Sequence, residues 1–195
     1  VNKNGFRSVL LGLSGGIDSA LVLAIAVDAL GAERVEAVMM PYHYTASMSM
    51  EDAEAEARAL GVSYSVIPIE KAVNAFADML SPSFSHLPAI AHDTTEQNLQ
   101  ARCRGVTLMA LSNRKGSLVL TTGNKSEVAV GYCTMDGDTA GSISPIAGID
   151  KYWLRQWLVW LETIGCHVKG HHIKVEGLQK VNSLQPTAEL RPKER

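Results

Sequence analysis

The chain has 195 residues, 46% of them apolar, and a formal net charge of −2 at pH 7. That length fits one domain, the charge leaves no broad basic surface for nucleic acid, and charged residues interrupt every apolar run before it reaches membrane-helix length. The opening VNKNGFRSV has no long apolar stretch of the kind a secretion signal needs, and three scattered cysteines, Cys103, Cys133 and Cys166, suit a reducing cytoplasm better than a disulfide framework.

In chain order, Ser8–Leu13 reads as a short apolar strand and Ser19–Leu30 as a helix. A second strand is predicted over Val35–Met40, followed by an amphipathic helix, SMEDAEAEARAL, whose acidic first turn suits the helix dipole. SYSVIPI predicts a third strand and Glu70–Leu80 a helix with Ala72, Val73, Phe76, Ala77 and Leu80 on one side. Two prolines and three serines make Ser81–Asp93 a surface loop. Thr95–Ser112 is a long helix, GSLVLTTG a fourth strand, Lys125–Val130 a short helix, Asp136–Gly148 Gly-rich and irregular, and Asp150–Ile164 the last clear helix. This alternation predicts an α/β fold, a Rossmann-like three-layer sandwich with a mostly parallel sheet and helices on both faces. Ligands on such sheets bind beyond the carboxyl ends of the strands.

One of those ends carries the chemistry. The stretch LGLSGGIDSALVLA joins an apolar strand to an apolar helix through Ser14, Gly15, Gly16, Ile17 and Asp18. Small residues let backbone N–H groups approach a ligand, and the following helix points its positive end the same way, which together make a phosphate site. Ser14 and Ser19 add hydroxyl groups. Asp18 would repel a bare phosphate, so it calls for an intervening Mg²⁺. The plainer alternative is a tight turn with Asp18 as helix N-cap. The loop lacks the Gly-Lys-Ser/Thr ending of a Walker P-loop and the G-x-G-x-x-G of a dinucleotide site.

SGGIDS resembles the pyrophosphate loop of the ATP pyrophosphatase superfamily, which includes NAD, GMP, asparagine and argininosuccinate synthetases and tRNA thiolases. The loop alone does not choose among them. TEQNLQARCRG at Thr95–Gly105, LVLTTGNKSEVAVGYCTMDGDTAG at Leu118–Gly141 and PTAELRP at Pro186–Pro192 resemble, in order, three blocks of the NAD synthetase family. The start KNGFRSVLLGLSGG is similar to its glutamine-dependent branch, in which an ammonia-producing glutaminase domain comes first. The resemblance therefore implies that residues 1–195 are a single synthetase domain, with the glutaminase domain and part of the C-terminal segment outside this chain.

The resemblance also implies a reaction: ATP adenylates the nicotinate carboxylate of deamido-NAD, and ammonia then displaces AMP to give NAD. It implies ATP contacts at Gly12, Leu13, Ser14, Gly15, Gly16, Ile17, Asp18, Ser19, Thr122, Lys151 and Thr187. It implies deamido-NAD contacts at Asn98, Arg104, Glu127, Tyr132, Cys133, Thr134 and Met135. Asp18 and Glu127 are the implied magnesium ligands and, with Lys151, the implied catalytic set. The family's homodimer, with dinucleotide sites shared between subunits, is implied as well. The apolar Ser19–Leu30 helix is consistent with such a dimer, and so is the long helix, on which Asn98 and Arg102 share a stripe while Arg104 points elsewhere.

The chain departs from the family at three positions. Met135 stands where the ammonia-only branch has Lys, Ser142 where it has Asp, and Asp136 where a Tyr is usual. Another pyrophosphate-loop ligase such as GMP synthetase, or a nucleotide-binding domain without catalysis, are the alternative readings. CHVKGHH at Cys166–His172 lacks a standard zinc spacing. Trp153, Trp157 and Trp160, at helical spacing, read as core or dimer packing.

Overall fold

Every side chain of the strand Ser8–Gly12 (β1) from Val9 to Leu11 is fully buried, which requires cover on both faces of the sheet. The alternation of a strand sends Val9, Leu11 and the following Leu13 into one core and Leu10 into another. The computed structural model, which describes residues 1–168, 171–173, 183 and 190, shows what provides that cover.

β1 leads into α1 (Ile17–Leu30), β2 (Val35–Met39), α2 (Ser47–Leu60), β3 (Ser63–Val66), α3 (Glu70–Phe84) and α4 (Thr95–Lys115). Then come β4 (Ser117–Leu120), α5 (Lys125–Val130), α6 (Lys151–Ile164) and a short antiparallel pair, β5 (Cys166–Val168) and β6 (His171–Ile173). The main sheet is parallel with strand order β3-β2-β1-β4. The chain builds outward from β1 to β3 on one side and then crosses to place β4 on the other. β1 and β4 therefore flank the topological switch point, where the loops beyond their carboxyl ends open a crevice.

Buried residues of α1, α2 and α6 form the first core with Leu118 and Leu120 of β4. Residues of α3 and α4, with Leu10, Val38 and Val119, form the second. The three-layer α/β sandwich expected from the alternation is thus the observed architecture. Among the described residues no helix is long and apolar enough to cross a membrane.

Local differences have physical causes. α1 begins at Ile17, two residues earlier than the pattern predicts, with Gly16 as N-cap, so Asp18 lies in the first turn and is not the cap. α1 is buried almost all round from Ile17 to Val27, so its apolarity is used inside this chain and gives no support to a dimer. α2 starts at Ser47, which moves Glu51 and Asp52 out of the first turn. β3 ends at Val66, although Ile67 and Ile69 still donate backbone bonds to Met39 and Pro41 on either side of Pro68.

α3 continues through Pro82 to Phe84, where a loop was expected. Pro82 cannot donate to the Asp78 carbonyl one turn back, and the helix nonetheless runs two residues past it, with Ser85 closing the turn by donating its N–H to Ser81 and its Oγ–H to Pro82. Of the apolar side predicted for α3, only Val73 is buried, and Phe76 is 43% exposed. On α6, Leu154, Leu158 and Leu161 face α1 and Trp157 packs against them, while Trp153 and Trp160 lie outside the core.

Candidate active site

The loop after β1 is held by its two serines. Ser19 Oγ donates to the Gly16 carbonyl at 3.0 Å and accepts from Ser14 N at 3.2 Å. The hydroxyls of Ser14 and Ser19 are 3.1 Å apart, and Gly16 N donates to Ser14 Oγ at 3.2 Å. Two of the loop amides expected to face a ligand, those of Ser14 and Gly16, are therefore engaged within the loop. The first-turn N–H groups of α1 have no acceptor inside the helix and point outward from it. Gly15 has φ 78°, and a Cβ there would lie 2.3 Å from the Ser49 carbonyl oxygen. Only glycine permits both that conformation and the close approach of α2.

Facing this loop is the end of β4. Thr121 is buried and bonds to the Ile143 carbonyl and to Ser144 Oγ, while Thr122 is half-buried at the crevice wall. Asn124 follows, fully buried, as N-cap of α5. Its Oδ1 accepts from Glu127 N at 3.0 Å, and Glu127 Oε2 accepts from Asn124 N at 3.2 Å, a reciprocal capping box. Asn124 Nδ2 donates to Asp18 Oδ1 at 2.9 Å.

Lys151 completes the cluster. It is the first residue of α6, fixed by its N–H to Ser126 Oγ at 3.1 Å and by Asp150, whose side chain caps the helix. Its Nζ pairs with Asp18 Oδ2 and lies 3.9 Å from Glu127 Oε1. Asp18, Glu127 and Lys151, named separately in the sequence, thus form one cluster at the switch point. Burial raises the Glu127 carboxyl above its ordinary range, the Asn124 N–H opposes this, and the nearby Asp18 carboxylate adds to it. Two hard carboxylates gathered around one ammonium are a donor set that suits Mg²⁺. Among the described residues no larger cluster of His, Cys, Asp and Glu is gathered for an ion.

The second group of predicted residues lies on α4 and the loop beyond α5. Asn98 Oδ1 accepts from Thr134 Oγ1 at 2.9 Å, and Arg102 Nε donates to the Met135 carbonyl at 3.3 Å. The stripe expected to link Asn98 and Arg102 therefore faces one loop. Arg104 points elsewhere, with its Nε donating to the Met40 carbonyl at 3.0 Å beyond the end of β2. A Cβ on Gly105 would lie 2.7 Å from the Asp136 carbonyl oxygen, so this glycine lets the loop seat on the helix. Tyr132 and Met135 are 61% and 73% exposed, and Cys133 is exposed too. Thr187 lies outside the described residues, and so does PTAELRP except for Leu190, whose carbonyl accepts from Gln100 Nε2 at 3.2 Å.

Two contributors were not foreseen. Asn124 carried a readable signal, since an N-cap residue three before a glutamate is a capping-box spacing. Tyr42, beyond β2, donates its hydroxyl to Glu96 Oε1 at 3.0 Å and so ties the strand end to the first turn of α4. Burial and the Glu96 carboxylate push its phenol up to about 12. Nothing local in the sequence marks that contact.

A parallel sheet whose glycine loop and acid-bearing loop meet across the β1/β4 switch point defines an ATP pyrophosphatase-type α/β domain. The comparisons agree and narrow the class. The profile of the NAD synthase family matches residues 1–195, and the chain belongs to that family. It is 56% identical over 151 residues to the glutamine-dependent NAD(+) synthetase of Acinetobacter baylyi, covering 77% of this chain and 27% of that protein. It is 45% identical over 195 residues to the Thermotoga maritima enzyme of the same name, covering 98% of this chain and 32% of that protein. The chain thus spans about three-tenths of these relatives. Among solved structures it is similar to glutamine-dependent NAD+ synthetase from Acinetobacter baumannii in complex with ADP. That match has a TM-score of 0.85 at 47% identity, over 95% of this chain and 34% of the other. NMN synthetase from Francisella tularensis matches with TM-score 0.79 at 26% identity, over 97% and 70% of the two chains.

Proposed function

We propose that this chain carries the amide-forming centre of an NAD synthetase: it converts deamido-NAD, ATP and ammonia to NAD, AMP and pyrophosphate. The observation that carries this reading is the Asp18–Asn124–Glu127–Lys151 cluster beside the glycine loop. The ADP bound by the Acinetobacter baumannii relative supports a nucleotide in this crevice.

The chemistry needs two displacements. The nicotinate carboxylate attacks the α-phosphorus of ATP and expels pyrophosphate. Ammonia then attacks the acyl carbon and expels AMP, a far better leaving group than oxide. In this reading Gly12 to Ser19 and the first turn of α1 hold the phosphates, with Thr122 and Thr187 as further ATP contacts. Lys151 turns its ammonium toward the charge that builds on the departing pyrophosphate. Asp18 and Glu127 would hold Mg²⁺, which supplies Lewis-acid stabilisation of phosphoryl oxygens when bound. Asn98, Thr134 and the exposed Tyr132 and Met135 offer deamido-NAD polar and apolar surface, with Cys133 beside them. Arg104 is the further proposed deamido-NAD contact, with its Nε bond to Met40 orienting it from α4 beside the end of β2.

A glutaminase domain in the full-length protein is the proposed ammonia source, in line with the printed names of the relatives and the share of them this chain spans. A homodimer is proposed from exposed apolar side chains, among them Phe76 and Met79 on α3 and Val106 on α4. The deciding experiment is incubation with deamido-NAD, ATP, Mg²⁺ and ammonium. NAD and AMP should form in equal amounts, and AMP without NAD, or neither product, would overturn the reading.

A further inference from the structure

Asn124 is fully buried, yet every polar group of its side chain is used. Through Nδ2 it takes one oxygen of Asp18, Oδ1, and through its backbone N–H it takes one oxygen of Glu127, Oε2. The oxygens left over, Asp18 Oδ2 and Glu127 Oε1, are the two that face Lys151 Nζ. One residue therefore determines which oxygen of each carboxylate is presented to a shared cation. It also joins the first turn of α1 to the first turn of α5, which come from opposite sides of the switch point.

We propose that Asn124 is a positioning residue for the metal of the amide-forming reaction, presenting Asp18 Oδ2 and Glu127 Oε1 to a single divalent cation. The inference rests on the reading of Asp18 and Glu127 as the metal ligands. The residue type follows from the double task. An acceptor is needed for Glu127 N and a donor for Asp18, on a side chain short enough to cap a helix. Aspartate caps but cannot donate to a carboxylate, serine caps but is too short to reach Asp18, and alanine does neither. Groups that orient metal ligands commonly change metal affinity about 10-fold or more when removed.

The test measures Mn²⁺ binding by electron paramagnetic resonance in the presence of ATP, with thermal melts of the same proteins. Asn124→Ala loses both the cap and the donor, and its fold is at risk. Asn124→Ser keeps a capping hydroxyl and loses only the donor. Asn124→Ser should melt close to the parent protein but bind Mn²⁺ about 10-fold more weakly, with the apparent KM for Mg²⁺ rising more than kcat falls. Asp18→Asn is the control for the underlying reading and should bind Mn²⁺ far more weakly still. Parent-like Mn²⁺ affinity in Asn124→Ser beside a weakened Asp18→Asn would overturn the positioning role alone. Parent-like affinity in Asp18→Asn would overturn the metal reading and the inference with it.

Discussion

Lys151 and Asp18 form an ion pair across the crevice although they lie in the last and first helices of the main sandwich. The charge of Asp18, not its volume, is what this pair and the proposed metal use. Asp18→Asn should therefore melt close to the parent protein, while AMP formation falls roughly 100-fold or more. Quenched-flow measurement of AMP with ATP and deamido-NAD checks this. AMP released at the parent rate by a folded variant would remove Asp18 from the metal site.

Gly15→Ala tests the loop itself. A Cβ is disfavoured at φ 78° by about 1–2 kcal/mol, and it meets the Ser49 carbonyl oxygen at 2.3 Å. The loop and the first turn of α2 must separate. A lower urea midpoint together with a higher KM for ATP is expected, and isothermal titration with a non-hydrolysable ATP analogue reads the second effect directly.

Glu56 gives a pH signature independent of the site. Its side chain is buried on α2, its Oε1 has no hydrogen-bond partner among the described residues, and burial raises its pKa to about 8. At low pH the carboxyl is protonated in both the folded and unfolded chain. As pH rises above the unfolded value, the unfolded chain ionises first, and stability is lost by about 1.4 kcal/mol per pH unit until the folded pKa is passed. Glu56→Gln removes that slope. Its stability relative to the parent should rise between pH 5 and pH 8, by on the order of 3 kcal/mol at pH 7, as read from urea melts. A difference that does not change with pH would show that Glu56 is not held protonated.

The nitrogen donor follows from the cysteines. An amidase of this kind needs a nucleophilic cysteine beside a base. Cys103 is buried on α4 with its thiol raised by burial, Cys133 lies in the exposed loop after α5, and Cys166 opens β5 after α6. This chain by itself should form NAD from ammonium and not from ammonia-free glutamine. At fixed total ammonium, the rate should climb from about pH 7 to 8.5 as neutral ammonia increases, wherever amination limits. Equal rates with both donors would place a glutaminase centre within these residues.

For assembly, light scattering at high micromolar concentration should give twice the chain mass. A monomer with full activity would dismiss the dimer and leave Phe76, Met79 and Val106 as a surface with another use.

Much of this was legible because it is periodic or local. The alternation of strands and helices gives the layers, and SGGIDS marks the loop because only small residues fit there. Asp18, Glu127 and Lys151 could be named from motifs, but their meeting depends on β4 being placed beside β1, a fact of topology that no window of sequence contains. α3 was cut short because Pro82 reads as a breaker, whereas the helix runs on to Phe84 and Ser85 closes its last turn. The apolar character of α1 suggested a partner subunit, because composition reports that a surface is covered and not which surface covers it. The contact of Arg104 Nε with the Met40 carbonyl was likewise not readable, because it joins residues 64 apart in the sequence.

The position of β4 has one more consequence, for synthesis of the chain. A nascent polypeptide that has emerged through α4 already contains the entire glycine loop, but Asn124, Glu127 and Lys151 are still to come. Asp18 meets Asn124 and Lys151 across sequence separations of 106 and 133 residues. The cluster around Asp18 is therefore assembled only when β4 has docked beside β1 and α6 has packed on α1. A chain cut before β4 would keep the glycine loop and lack Asn124, Glu127 and Lys151, the three residues that cluster with Asp18 across the crevice.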